Sequence, residues 1–247
     1  MRIAKILRMA FFLAVCALVF TGTALAAPSA LEYEGSTVIW KVGDTRVWRF
    51  PMAYAVEVTM MSDKFNRLYG SGFNLTDLNV EKADGGWSLR VKDQTVFTAR
   101  PEHSVGVKLS ARAMALQWMS KIYEAAGEMH AQELTAEYKL NGGFDVASSV
   151  SWYGGKFIGK KFANGEKFTE SHLTAAAVDL PFGTLVKVTT PATGKSVVVR
   201  ITDRFKGHKN RVLDISNAAA DLLGIKGAGV AKAQIRVIGK VDVIGGK

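Results

Sequence analysis

The sequence predicts a mainly β protein in two parts, a barrel of short strands over residues 141–247 behind a small α/β region over residues 27–140. Three observations predict this. Short apolar–polar alternations crowd the second half, and such strands with a single helix in about a hundred residues describe a compact barrel. The turn-forming cluster Asn141-Gly142-Gly143, with Ser148-Ser149 behind it, marks a break in composition and sets the boundary. The chain has 247 residues, 48% of them apolar, enough for one sizeable domain or two small ones.

Residues 1–26 read as a signal peptide. Arg2, Lys5 and Arg8 form a basic start without an acidic residue, Met9 to Val19 are apolar, and Ala24-Leu25-Ala26 has the small-x-small pattern of a cleavage site. The apolar run is short for a membrane span and is followed by Thr21-Gly22-Thr23, so no stable membrane span is expected. The only cysteine, Cys16, lies inside this run behind Val15, which argues against a lipid anchor. After cleavage the protein has no disulfide and no thiol chemistry. Its formal charge falls from +10 to +7, which suits an exported, periplasmic protein among anionic envelope polymers. The lysines are scattered, with no basic stripe and no RNA-binding aromatic motif, which excludes nucleic acid as a partner.

In the first region, Val38 to Trp40, Arg46 to Phe50, Trp87 to Val91 and Gln94 to Thr98 read as strands, the last two joined by a tight turn at Lys92-Asp93. Ser110 opens a helix whose Met114, Trp118, Ile122 and Ala125 share one apolar face, a core stripe rather than a ligand box. His103 and His130 lie among polar neighbours without metal-ligand spacing, so this half reads as an accessory region of unknown role.

In the second region three strands show alternation. Val186 and Val188 alternate with Lys187 and Thr189; Val197, Val199 and Ile201 with Val198, Arg200 and Thr202; and Ala233, Ile235 and Val237 with Gln234 and Arg236. Ser216 caps a helix from Asn217 to Leu223 that Gly224 stops. Asp203 continues the phase of Val197, Val199 and Ile201, so its carboxylate is expected on the apolar face where that face meets a barrel end. A carboxyl half withdrawn from water there is a general-acid candidate; the competing reading is an Asp that closes a turn or pairs with Arg204. Glu166 ends the turn Ala163-Asn164-Gly165-Glu166. Trp152 and Tyr153, beside Gly154-Gly155, offer ring faces on which sugars stack, or else core packing. Asp214 reads as structural, in front of the helix that follows.

Five segments then resemble the RlpA family of lytic transglycosylases, in family order and spacing. They are Ser151-Trp152-Tyr153-Gly154, Ala163-Asn164-Gly165-Glu166, Leu180-Pro181-Phe182-Gly183-Thr184, the strand Val197 to Arg204, and Arg211 to Ser216 with Ala218-Ala219-Ala220 behind it. The resemblance covers residues 147–240. It implies a six-stranded double-psi β-barrel that cleaves peptidoglycan glycan strands between N-acetylmuramic acid and N-acetylglucosamine, leaving 1,6-anhydro ends, with neither cofactor nor metal. It further implies that Asp203 and Glu166 are the catalytic carboxylates, Asp203 as general acid, and that Trp152, Tyr153 and Asn164 bind substrate. The two carboxyls are then expected in one open cleft within about 10 Å of each other, the scale of paired carboxylates in glycosidases.

The chain departs from the family at one catalytic position. The family places a histidine before its Leu-Pro turn, where this sequence reads Ala175-Ala176-Ala177. His172, five residues upstream, either takes over that role or is a loop histidine on a solvated turn. The departure leaves two functions open, an enzyme that Ala177→His would strengthen, and a non-catalytic peptidoglycan-binding or wall-scaffolding barrel. Neither reading names a protein partner.

Overall fold

The computed structural model describes residues 29–106, 108–129, 138–139, 144–208 and 211–240. The expected signal peptide, His130 and the expected boundary at 141–143 lie outside the described residues. Two three-stranded antiparallel sheets make up the first region. One holds β1 (Ser29–Glu34), β2 (Thr37–Val42) and β3 (Thr45–Pro51); the other holds β4 (Leu78–Ala83), β5 (Gly86–Val91) and β6 (Gln94–Ala99). The turn between β5 and β6 puts Lys92 at φ 53°, in the left-handed region that tight hairpin turns use. Helix α1 (Ala55–Gly70) turns Val58, Met61, Phe65 and Leu68 inward at helical spacing.

Helix α2 (Ala111–Met129) lies between the sheets and the barrel. The Ser110 hydroxyl accepts from the Ala113 N–H at 3.2 Å and caps its start. The stripe Met114, Trp118, Ile122 and Ala125 is buried, and Trp118 packs among the rings of Trp40, Trp48, Phe50 and Phe97. His103 belongs to this aromatic core rather than to polar surroundings. It is fully buried between Phe50, Tyr54 and Phe97, and burial lowers its pKa, which favours the neutral imidazole.

The second region is a closed six-stranded barrel. Its strands are β7 (Asp145–Tyr153), β8 (Thr174–Ala177), β9 (Thr184–Thr189), β10 (Ser196–Arg204), β11 (Arg211–Ser216) and β12 (Val230–Lys240), in the order β10-β8-β11-β7-β12-β9. Closure pairs every edge, so no strand is left to template aggregation. Helix α3 (Asn217–Leu223) carries the expected Ser216 cap and ends at Gly224 with φ 71°. The interior is aliphatic, filled by Val186, Val188, Val197, Val199, Ile201, Leu213, Ile215 and Ile235, and it is continuous through α2 with the aromatic core of the first region.

Candidate functional site

Strand β8 is the axis of the site. It is hydrogen-bonded to β10 on one side and β11 on the other, and both Asp203 and Asp214 pair with Ala176. The three side chains therefore form a row across three adjacent strands. Two interstrand spacings of about 4.8 Å place the two aspartate Cα atoms roughly 10 Å apart.

Asp203 reaches this row through an irregularity. Ile201 pairs with Ala175 and Asp203 with Ala176, so the register slips by one residue at Thr202. Consecutive residues of β8 face opposite ways, hence Ile201 and Asp203 do too. The expectation that Asp203 shares the apolar face of Val197, Val199 and Ile201 is thus corrected: the bulge turns its carboxylate outward. On β11 the alternation is regular, with Leu213 and Ile215 in the core and Asp214 between them facing out.

Outside the barrel, the segment 154–173 folds over this row. Tyr153, Phe162 and Phe168 form a small aromatic cluster of their own, with ring centroids 5.1–6.1 Å apart. Beside it lies a recess of about 190 Å³ lined by Tyr153, Ala176, Asp203 and Asp214. A broader section of about 660 Å³, lined by Trp152, Gly154, Asn217 and Lys226, shares Tyr153, Phe157 and Asp214 with the first. The two make one groove with Asp214 at its middle. The Trp152 ring is pinned by its Nε1, which donates to the Lys226 carbonyl at 3.1 Å, and the Tyr153 hydroxyl is held by Thr174 at 2.8 Å. Lys160, Lys161 and Arg204 stand at the inner section and Lys156 and Lys226 at the outer one, so the acidic pair has a basic rim.

The two groove carboxylates differ in their ties. Asp203 Oδ1 accepts from the Ala163 and Arg204 N–H groups, each at 2.9 Å, and Oδ2 accepts nothing from the described residues. Asp214 Oδ1 accepts from the Ser151 hydroxyl at 2.6 Å. Burial raises the Asp214 pKa above the usual carboxylate range; Ser151 and Arg211 offset part of this and the Asp203 charge adds to it.

Glu166 is placed elsewhere. Gly165, at φ 91°, lets the turn fold back, and the carboxylate makes a two-pronged pair with Arg200, Nη1 to Oε1 at 2.7 Å and Nη2 to Oε2 at 2.6 Å. Asn164 is used in the same turn: its amide donates to Glu166 Oε1 at 2.8 Å and its carbonyl accepts the Glu166 N–H. Burial would raise the Glu166 pKa, but the hydrogen bonds and charge of Arg200 hold it below the usual range. Glu166 is turned to Arg200 rather than to the recess that Asp203 lines. The physical reason is Arg200, which is 3% exposed and needs an anion.

His172 is not on a solvated turn either. Its ring lies behind Phe162 and Phe168, Nδ1 is buried without a hydrogen-bond partner among the described residues, and burial with the Arg200 charge pushes its pKa down to about 4. Ala177 is fully buried and paired with Leu213, on the opposite side of β8 from Ala176. An imidazole grafted there would enter the packed interior rather than the groove. Among the described residues no group of His, Cys, Asp or Glu could hold a metal, and no helix is long and apolar enough to cross a membrane.

The sequence does not single out Asp214 or Arg200 as neighbours of the site. A signal for Asp214 was available, since it is the polar residue between Leu213 and Ile215 in a strand pattern. None existed for Arg200, which alternates like an outward residue and is buried by α2.

Comparison with known proteins finds similarity over the same segment. The family model described as lytic transglycolase, of the double-psi β-barrel type, matches residues 145–235. A probable endolytic peptidoglycan transglycosylase RlpA of Synechocystis sp. is 39% identical over 170 residues, 64% of this chain and 51% of that protein. The endolytic peptidoglycan transglycosylase RlpA of Neisseria meningitidis serogroup A is 38% identical over 120 residues, 48% of each chain. The chain spans about half the length, or less, of the curated relatives it matches. A solved expansin structure from Clavibacter michiganensis is 18% identical over 38% of this chain and 50% of that chain with a TM-score of 0.30, too loose a match to add to the argument.

Proposed function

We propose that this chain, whose residues 145–235 match the lytic transglycolase family model and resemble the RlpA relatives, is an endolytic lytic transglycosylase of peptidoglycan. The observation that carries the reading is the groove in which Asp203 and Asp214 flank Ala176 across three strands, with Trp152 and Tyr153 along it. Glycan rings stack on such aromatic faces, and two carboxyls in one groove suit acid–base cleavage of a glycosidic bond.

The proton inventory assigns the roles. Asp214, whose carboxyl burial makes a weaker acid, donates to the glycosidic oxygen as the bond from C1 of N-acetylmuramic acid breaks. Asp203, with Oδ2 open to the groove, takes the proton of the C6 hydroxyl of the same sugar as that oxygen closes on C1. One bond to C1 breaks and one forms, a proton enters and a proton leaves, and no water is consumed. The product is a 1,6-anhydro end. This exchanges the expected acid, Asp203, for Asp214, and gives Glu166 the task of fixing the loop that holds Asp203.

The N-terminal basic and apolar segment ending in Ala24-Leu25-Ala26 supports export to the compartment where the wall lies. The reading is tested by incubating the purified protein with peptidoglycan sacculi and analysing the products by mass. Release of anhydro-muramyl ends is expected. Binding to sacculi without such ends would make the protein a glycan binder, the reading that the missing family histidine at Ala177 favours.

A further inference from the structure

A second cleft, of about 550 Å³, opens where the first region meets the barrel. Its apolar lining comes from both sides, with Trp48 and Leu109 facing Leu222 of α3. Trp48 is half-buried and held in place: its ring packs edge-on against Trp118 at 6.2 Å, and its Nε1 donates to the His103 carbonyl at 3.0 Å. A fixed indole at the wall of an open cleft offers a stacking surface at little entropic cost.

The charged lining is mostly basic. Arg49 and Lys108 stand on the side of the first region, and Lys195 with Asp221 on the side of the barrel. Arg49 is matched by Glu34 at 2.7 Å, and Asp221 by Arg112 at 3.4 Å and Lys226 at 3.1 Å. Lys108 and Lys195 are exposed, and neither ammonium has an acidic partner among the described residues. The cleft therefore has two cations free to meet an anion.

The cleft is also continuous with the catalytic groove. Asn217 lines the outer section of the groove and Asp221 lines the cleft. They are four residues apart on α3, hence on one face and about 6 Å apart along the helix. Lys226 lines the outer section too, and its ion pair with Asp221 bridges the same short gap.

We infer that the cleft is a distal subsite for the glycan strand, one that takes the strand's carboxylates. The strand leaves the outer section of the groove, crosses α3 along Asn217 and Asp221, and sets a sugar against Trp48 with its carboxylates at Lys108 and Lys195. Those carboxylates are the lactyl groups of muramic acid or the acids of the stem peptides. The inference rests on the reading of the groove given above, and it makes the first region half of a binding surface.

Affinity tests this apart from turnover, with Asp203→Asn present in every protein to keep the strands intact. Calorimetric titrations at low salt compare peptidoglycan strands, with and without stem peptides, against neutral chitin oligosaccharides of equal length. Without further change the protein should bind long strands of at least one charged form about tenfold tighter than chitin, and Lys108→Glu/Lys195→Glu should remove that margin. The favoured form identifies the carboxylate. Short strands that fill the groove alone should bind equally with and without the two changes. Lys82→Glu/Lys232→Glu alters net charge by the same amount at exposed lysines that line neither the groove nor the cleft, and should keep the margin. A margin that survives Lys108→Glu/Lys195→Glu, a margin lost equally in Lys82→Glu/Lys232→Glu, or equal losses on short and long strands would each overturn the inference. If the margin behaves as expected while the parent chain releases no anhydro ends, the subsite stands and the transglycosylase reading falls. Anhydro ends without the margin would remove the subsite alone.

Discussion

Two carboxylates on the same barrel are both withdrawn from water, and their surroundings drive them in opposite directions. Glu166 faces a buried arginine that grips both of its oxygens, and it is held ionised. Asp214 faces a serine hydroxyl and, across Ala176, a second aspartate, and it is held toward its protonated form. Burial is common to both; the sign is set by whether a cation is in contact. A carboxylate locked to a cation anchors a loop, and one left without such a partner is shifted toward its protonated form. The resemblance to a family implies Asp203 as the acid with Glu166 beside it, and this contrast in surroundings is what motivates the proposal of Asp214 as the donor.

The largest effect that would sharpen this contrast is expected at the other groove residue. Asp203→Asn should lower anhydro-end release by about 10²- to 10⁴-fold, the range of a positioned acid or base, with binding to sacculi retained in a pull-down. Retention of more than a tenth of the parent rate would place the base elsewhere. Ala177→His should cost about 1–3 kcal/mol in chemical denaturation, because an imidazole must enter the packed side of β8, and it should bring no gain in rate. A faster enzyme would mean that the strand turns its 177 side chain to the groove.

A smaller effect concerns His172, on the Glu166 side. Its folded-state pKa of about 4 is depressed from an ordinary value near 6.5, so between these values the unfolded chain binds the proton and the folded one does not. Its contribution is fully present above pH 6.5, shrinks as pH falls through the window to about 4, and levels off below it. His172→Gln should flatten the slope of stability against pH in that window. An unchanged slope would show the imidazole to be solvated.

The sequence made the barrel legible where strands alternate, in β9, β10 and β12, and where caps are local, at Ser216 and Gly224. β8 offered no pattern, since Thr174-Ala175-Ala176-Ala177 is apolar on both faces and is recognisable only by its neighbours β10 and β11. The apolar stripe of α1 is interleaved with Glu57, Asp63 and Lys64, which masks its helical period. In the site, the positions of Trp152 and Tyr153 follow from their place at the end of β7. The outward turn of Asp203 does not, because it depends on a register slip that appears only against β8. The pairing of Glu166 with Arg200 is equally hidden, since what buries Arg200 is a helix some eighty residues earlier in the chain.

The central claim is that Asp214 supplies the proton, and the rate of anhydro-end release from sacculi as a function of pH, for the parent and for Asp214→Asn, tests it directly. The acid must be protonated to act, so the parent rate should fall as pH rises through the raised Asp214 pKa, with the descending limb above the ordinary carboxylate range. Asp214→Asn should show only background release at every pH, because the amide keeps the hydrogen bond to Ser151 but has no proton of that acidity to give. An Asp214→Asn protein with the parent's rate and the same descending limb would contradict the account.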